Sequence, residues 1–225
     1  YFQAIAGTDI EKVAIAEKVF YKEKLKPMKN ALLLMSESLG ADYIMFGAFE
    51  LYGDQTLSNL LSSFVGTIEG YSLDIIFLYP KLAISFMKVI NSLCKNHLML
   101  IVECSQPFFD YLFRVITLGL SQIDKDLVNI SIESGLNLGN FLQSNKAISQ
   151  VIAELIGRNQ SNISQIVTIG FSLYLQNSEI VVVNQYELLK MIGSFLTIVP
   201  DILTPLAENM SSQVPEENGS EYAEI

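Results

Sequence analysis

Five stretches of this chain set apolar residues at i, i+3, i+4, i+7 and onward, the spacing that lines one face of an α-helix. Leu57, Leu60, Leu61, Phe64, Val65 and Ile68 form the first, and Leu82, Phe86, Val89, Ile90 and Leu93 the second. Phe109, Leu112, Phe113, Ile116 and Leu120 form the third. Ile163, Ile166, Val167, Gly170 and Tyr174 trace the fourth, and Leu188, Ile192, Phe195, Leu196 and Val199 the fifth. Only Ile180-Val181-Val182-Val183 reads as a strand, and a buried helical turn explains so short a run equally well. The expected fold class is all-α.

The residues between the stripes are those that start and stop helices. In FGAFELYGDQTL, from Phe46 to Leu57, Gly53 is expected to end one helix and Asp54 to cap the next, its carboxylate accepting from free backbone N–H groups. Ser105-Gln106-Pro107 and Tyr79-Pro80 put proline at a helix start, where its missing N–H costs nothing. Asp124 is expected to cap a helix running to about Ser144, with Asp126 in its first turn complementing the dipole. Gly40, Gly53 and Gly70 are expected to end helices in the left-handed conformation. Helix starts are expected near 26, 54, 80, 107, 124, 146, 162 and 185. Paired antiparallel, these helices recur at roughly 40 to 50 residues, near the HEAT and armadillo period, which favours an α-α superhelix over a compact bundle although the repeats share no clear signature. Residues 1–24 are expected to be a lysine-rich helix, 25–210 the helical repeats, and 211–225 a disordered acidic tail of Ser, Pro, Gly and Glu.

Half of the 225 residues are hydrophobic, yet no apolar run approaches the roughly 18 residues that a membrane span needs. A soluble protein with a wide buried face is expected. The net charge is −10, and the only arginines are Arg114 and Arg158, which disfavours nucleic-acid binding. Lys12, Lys18, Lys22, Lys24, Lys26 and Lys29 gather near the start and read as a solvated helix face, the sharper alternative being a docking patch for an acidic partner. The four Asn-x-Ser sequons at Asn129, Asn162, Asn209 and Asn218 read as chance in a chain rich in both residues. Tyr1 in place of methionine points to a segment of a longer protein, and Tyr1-Phe2-Gln3 to the remnant of a protease site.

The residues that carry chemistry do not assemble into a reaction centre. His97 is the single histidine, so any Ser-His-Asp relay or histidine-bearing metal site would have to use it. Cys94, His97 and Cys104 lie within eleven residues, but Cys104 stands two helical turns further on. The plainer reading places His97 at a joint between helices, its ring hydrogen-bonded to backbone, and leaves both cysteines as free thiols. Gly135-Leu136-Asn137-Leu138-Gly139 lacks the spacing and preceding strand of a dinucleotide loop, and its glycines are expected to let two helices approach closely. No catalytic, metal or cofactor-binding residue is assigned, and no cofactor is expected.

Four stretches in order carry a family resemblance. They are Phe46-Gly47-Ala48-Phe49-Glu50-Leu51-Tyr52-Gly53-Asp54, Tyr79-Pro80-Lys81-Leu82, the run from Leu93-Cys94-Lys95-Asn96-His97 to Ile101, and Leu118-Gly119-Leu120-Ser121-Gln122-Ile123-Asp124. Together they resemble the C-terminal part of exportin-7-type nuclear transport receptors, within the importin-β (karyopherin) superfamily. The similarity runs from about Phe46 to Leu142 and returns over Leu188–Pro215. The resemblance implies a flexible superhelix of HEAT repeats that carries protein cargo through nuclear pores under control of the Ran GTPase. It further implies shuttling between nucleus and cytoplasm, contacts with nuclear pore proteins, and main Ran contacts in repeats outside this segment. None of the matched positions is a contact residue by motif, so no partner-binding residue is carried over. Two other classes stay open: a HEAT-type interaction scaffold unconnected with Ran, and an enzyme or ligand module in a compact bundle with a closed apolar pocket near His97.

Overall fold

The computed structural model describes residues 19–40, 52–53, 55–69, 72–175 and 185–203. A π-helical turn, Tyr21–Leu25, closes with the Lys26 N–H donating to Tyr21 O and runs on into α1, Lys26–Gly40. The helices that follow are α2 (Thr56–Glu69), α3 (Leu73–Leu78), α4 (Pro80–Asn96) and α5 (Leu98–Cys104). Next come α6 (Gln106–Leu120), α7 (Lys125–Asn145), α8 (Gln150–Arg158), α9 (Gln160–Leu175) and α10 (Gln185–Ile198). A 3-10 turn, Pro200–Ile202, closes the series. No strand occurs among the described residues. The fold is all-α, as the apolar spacing requires.

The chain forms two compact units, Tyr1–Leu100 and Ile101–Ile225, and the division falls within α5. In the first unit α1 packs along α4. Ser92 Oγ donates to Ser36 O at 3.3 Å and Asn96 Nδ2 to Leu39 O at 3.2 Å, so residue numbers rise together along the two helices and they run in the same direction. The core of this unit takes up the predicted faces: Leu61, Phe64 and Ile68 from α2, and Leu82, Phe86, Val89, Ile90 and Leu93 from α4, are all buried. The Phe64 and Phe86 rings stack at 6.4 Å, and Phe77 meets Phe86 edge-on at 6.5 Å.

In the second unit α6 and α7 form an antiparallel pair, α9 packs on α6, and α10 packs on both α7 and α9. Phe109 meets Phe141 at 6.4 Å while the space over Gly135 is filled in part by Ile116, which fixes the opposed directions of α6 and α7. By contrast α7 and α10 run the same way, since Gly135 faces Met191 and Lys146 Nζ donates to Ile198 O at 2.7 Å. A helix that pairs antiparallel with its neighbour and stacks on an equivalent helix further along the chain is packed in the manner of a helical solenoid. The side-chain bonds between stacked helices span 48 to 58 residues, somewhat longer than the 40 to 50 expected. Short helices lie between the stacked partners and lengthen the repeat: α3 (6 residues), which the apolar spacing does not announce, between α1 and α4, and α8 (9 residues), expected to start near 146 and found from Gln150, between α7 and α10.

The helix boundaries follow local chemistry closely. Asp124 Oδ1 accepts from Asp126 N at 2.9 Å and Leu127 N at 3.1 Å, capping α7, which runs to Asn145. Ser105 caps α6 through the Phe108 N–H, with Pro107 in the first turn, and Pro80 opens α4. Gly53 has φ +76°, the left-handed turn expected of it. Gly40 does not. It ends α1 in ordinary helical conformation, and a Cβ there would stand 3.0 Å from Ser92 Oγ, so close packing against α4 is what favours glycine. Tyr174, assigned to an apolar stripe, is 38% exposed, because the face of α9 that meets its neighbours ends at Gly170. Asp54, Gly70, Ile180–Val183, Lys12, Lys18 and the stretch beyond 203 lie outside the described residues.

Candidate interaction surface

Glycine on one helix sets the distance between α7 and α10. A Cβ at Gly135 would lie 2.5 Å from Met191 Sδ, and one at Gly139 would collide with Ser194 Oγ. Gly170 of α9 meets Ile192 in the same way, at 3.0 Å. The two glycines of Gly135-Leu136-Asn137-Leu138-Gly139 therefore serve close helix approach, as their spacing of four predicts for one face.

Such close packing leaves the outward faces of α7 and α10 as the two walls of an open groove of about 510 Å³. Leu136, Asn140 and Gln143 line it from α7, and Lys190, Gly193, Ser194 and Thr197 from α10. The hydroxyls are engaged within α10: Ser194 Oγ donates to Met191 O and Thr197 Oγ1 to Gly193 O, both at 2.8 Å. The amides of Asn140 and Gln143 are exposed and bond to no described residue. Lys190 Nζ sits 4.0 Å from the centre of the Tyr186 ring, a cation–π contact that holds the ammonium at the surface. Among the described residues no carboxylate lines the groove, although the chain as a whole carries a net charge of −10.

The groups weighed for catalysis are placed elsewhere. His97 follows the last turn of α4, and its Nε2 lies 3.2 Å from Leu39 O, where it donates to a carbonyl at the end of α1. Asn96 and His97 both donate to Leu39 O, one of the carbonyls that α1, like any helix, leaves free at its C-terminal end, and Ser92 adds a bond to Ser36 O one turn earlier. Cys94 is fully enclosed, and burial pushes its thiol from 9.0 up to about 12, which holds it in the protonated, unreactive form. Among the described residues no three His, Cys, Asp or Glu side chains gather as metal ligands. Nor is any helix long and apolar enough to cross a membrane.

A second polar cluster joins α6 to the α8–α9 corner. Asp110 receives Asn159 Nδ2 at 2.5 Å and Arg158 NH2 at 3.2 Å, while Arg158 NH1 reaches Gln106 Oε1 at 3.4 Å. Asn159 also donates to Leu155 O, and its own Oδ1 accepts from Asn162. Asn159 is 1% exposed while the Arg158 and Asp110 side chains are 49% and 34% exposed, so the cluster is a clasp between stacked helices with a buried amide and an open rim. Sequence reasoning named neither the clasp nor the groove. Asn140 and Gln143, and Lys190 and Thr197, do fall on the polar sides of their helices, but which polar sides meet is fixed by the stacking of α7 on α10.

Fold and groove thus define an all-α protein of solenoid-like stacked helices with an open polar groove. Among proteins of known name, the chain is 23% identical to exportin-7 of Dictyostelium discoideum over a 225-residue alignment, 96% of this chain. Ran-binding protein 16 of Drosophila melanogaster is 30% identical over 123 residues, 53% of this chain. Human Ran-binding protein 17 is 28% identical over 111 residues, 49% of this chain. The chain spans 22% of the first relative's length and about a tenth of the other two (11% and 10%). No protein-family model matches it, and no solved structure matches it.

Proposed function

We propose that this chain is a C-terminal HEAT-repeat segment of a Ran-dependent nuclear transport receptor of the exportin-7 type. The observation that carries this reading is similarity to an exportin-7 over 96% of the chain, supported by solenoid-type stacking inside both units. The relatives are named for export and for Ran binding, and none is named as an enzyme. On this reading the receptor binds protein cargo and Ran, engages pore proteins and shuttles between nucleus and cytoplasm. Ran is held mainly by repeats beyond this segment, and no cofactor takes part.

The physical role follows from stacked helices. Each pair is buried only against its neighbours, so the curvature of a repeat array changes at modest energetic cost. A partner that prefers one curvature shifts the population toward it and changes affinity at other points of the array. Within this chain hydrogen bonds such as Asp110–Asn159, Leu39–Asn96 and Lys146–Ile198 are fixed points between stacked helices, and the apolar faces are the compliant ones.

The test is retention of Ran by the full-length receptor, with Ran loaded with GTP in one arm and GDP in the other. Strong recovery in the GTP arm alone is expected. Equal and negligible recovery in both arms removes the Ran-dependent reading and leaves a helical-repeat scaffold.

A further inference from the structure

We infer that the groove between α7 and α10 is a docking site for an extended peptide segment of a partner protein, with an acidic side chain of that segment placed at Lys190. This inference rests on reading the chain as a protein-binding repeat array, and it names the partner chemistry of one surface.

Three observations carry it. First, the groove has the dimensions of a short extended segment. From Leu136 to Gln143 the wall is seven residues of helix, about 10 Å at 1.5 Å per residue, which matches about three residues of extended chain at 3.3 Å each. Second, the wall offers what a peptide backbone needs. Exposed Asn140 and Gln143 each present an amide donor and an amide acceptor, the complement of a main-chain N–H and C=O, and neither is engaged with a described residue. Third, the charge is local and of one sign. Lys190 is the single charged residue among the described residues of the lining, held over the Tyr186 ring and in no ion pair with a described residue, in a chain whose net charge is −10. A carboxylate is the group such a site selects, whereas a basic segment would meet Lys190 with no acid to receive it.

Gly193 adds a feature the fold itself does not need. A side chain there would meet nothing within 4 Å, unlike at Gly135, Gly139 and Gly170, where packing excludes one. Gly66 and Gly157 are also unpacked, but only Gly193 borders the groove. Mid-helix glycine weakens a helix, and here it keeps the wall bare so that another backbone approaches closely.

The experiment uses the 225-residue chain and an array of immobilised hexapeptides of varied flanks whose central residue is Glu, Asp, Gln or Lys. Expected is retention on Glu- and Asp-centred peptides at least fivefold above their Gln counterparts. Gly193→Trp, which fills the groove without touching the packed face, should lower that retention at least tenfold with unchanged far-UV circular dichroism. Lys190→Glu should shift preference toward Lys-centred peptides. As a readout independent of any unfolding, side-chain amide resonances of Asn140 and Gln143 should move on titration with the best acidic peptide. Absence of binding at millimolar peptide, equal retention of Glu and Gln peptides, or acidic binding that Gly193→Trp leaves intact each overturns the inference. Acidic peptide binding alongside failed Ran recovery would remove the receptor reading and keep the groove.

Discussion

Asp124 and Cys94 show how much a single side chain decides. Asp124 accepts two backbone N–H groups at the start of α7, so Asp124→Ala should cost about 1 kcal/mol, read as a lower urea midpoint with unchanged slope. No change in midpoint would show that solvent satisfies those groups equally well. Cys94 acts through its proton. An unfolded thiol ionises near 9.0 and the folded one near 12, so the folded state holds the proton across that interval while the unfolded state releases it. Folding stability should therefore fall as pH rises from 9 toward 12, and the Cys94→Ala variant should lose that part of the slope. The same burial predicts that Cys94 in the folded chain resists iodoacetamide at pH 8 and reacts on unfolding; mass spectrometry of the cysteine peptides distinguishes the two.

At the scale of the helix, packing separates glycines that look alike in sequence. Gly139→Val forces a side chain into Ser194 and should destabilise by roughly 1–3 kcal/mol, the range for overpacked interiors. Gly157→Ala, on an exposed position of α8 with nothing within 4 Å, should stabilise by up to about 1 kcal/mol through helix propensity alone. Thermal midpoints that move in the same direction for both would refute this division. The Asp110 clasp behaves likewise. Asp110→Ala takes one acceptor from the buried amide of Asn159 and should cost about 1–3 kcal/mol, whereas Arg158→Ala, whose side chain is 49% exposed, should cost under about 1 kcal/mol. Both measurements are chemical unfolding curves on the intact chain, and an equal cost for the two would make the ion pair, not the buried amide, the main link.

For the whole chain, repeat stacking makes stability local, since a stacked helix feels its neighbours and little else. Hydrogen exchange on Gly139→Ala should quicken for amides of α7 and α10 and leave those of α1 and α4 unchanged; matching acceleration everywhere would show one cooperative unit. The helices themselves were legible from residues alone. The stripe from Leu82 to Leu93 became the buried face of α4, and Asp124, Ser105 and Pro80 marked starts, because spacing and caps are properties of neighbours along the chain. The short α3 was not legible, since a helix of 6 residues holds too few turns to show a period, whereas α8 begins at Gln150, close to the start expected near 146. The tight approach at Gly40 was hidden too, because the neighbour is Ser92, 52 residues away in the chain and in contact only after folding. The same limit applies to the groove. Local sequence determines that α7 and α10 each carry polar residues outward, but a binding face needs Asn140 and Lys190 on opposite walls. That placement comes from the tight contact of Gly135 and Gly139 with Met191 and Ser194, a long-range fit that only the packed chain decides.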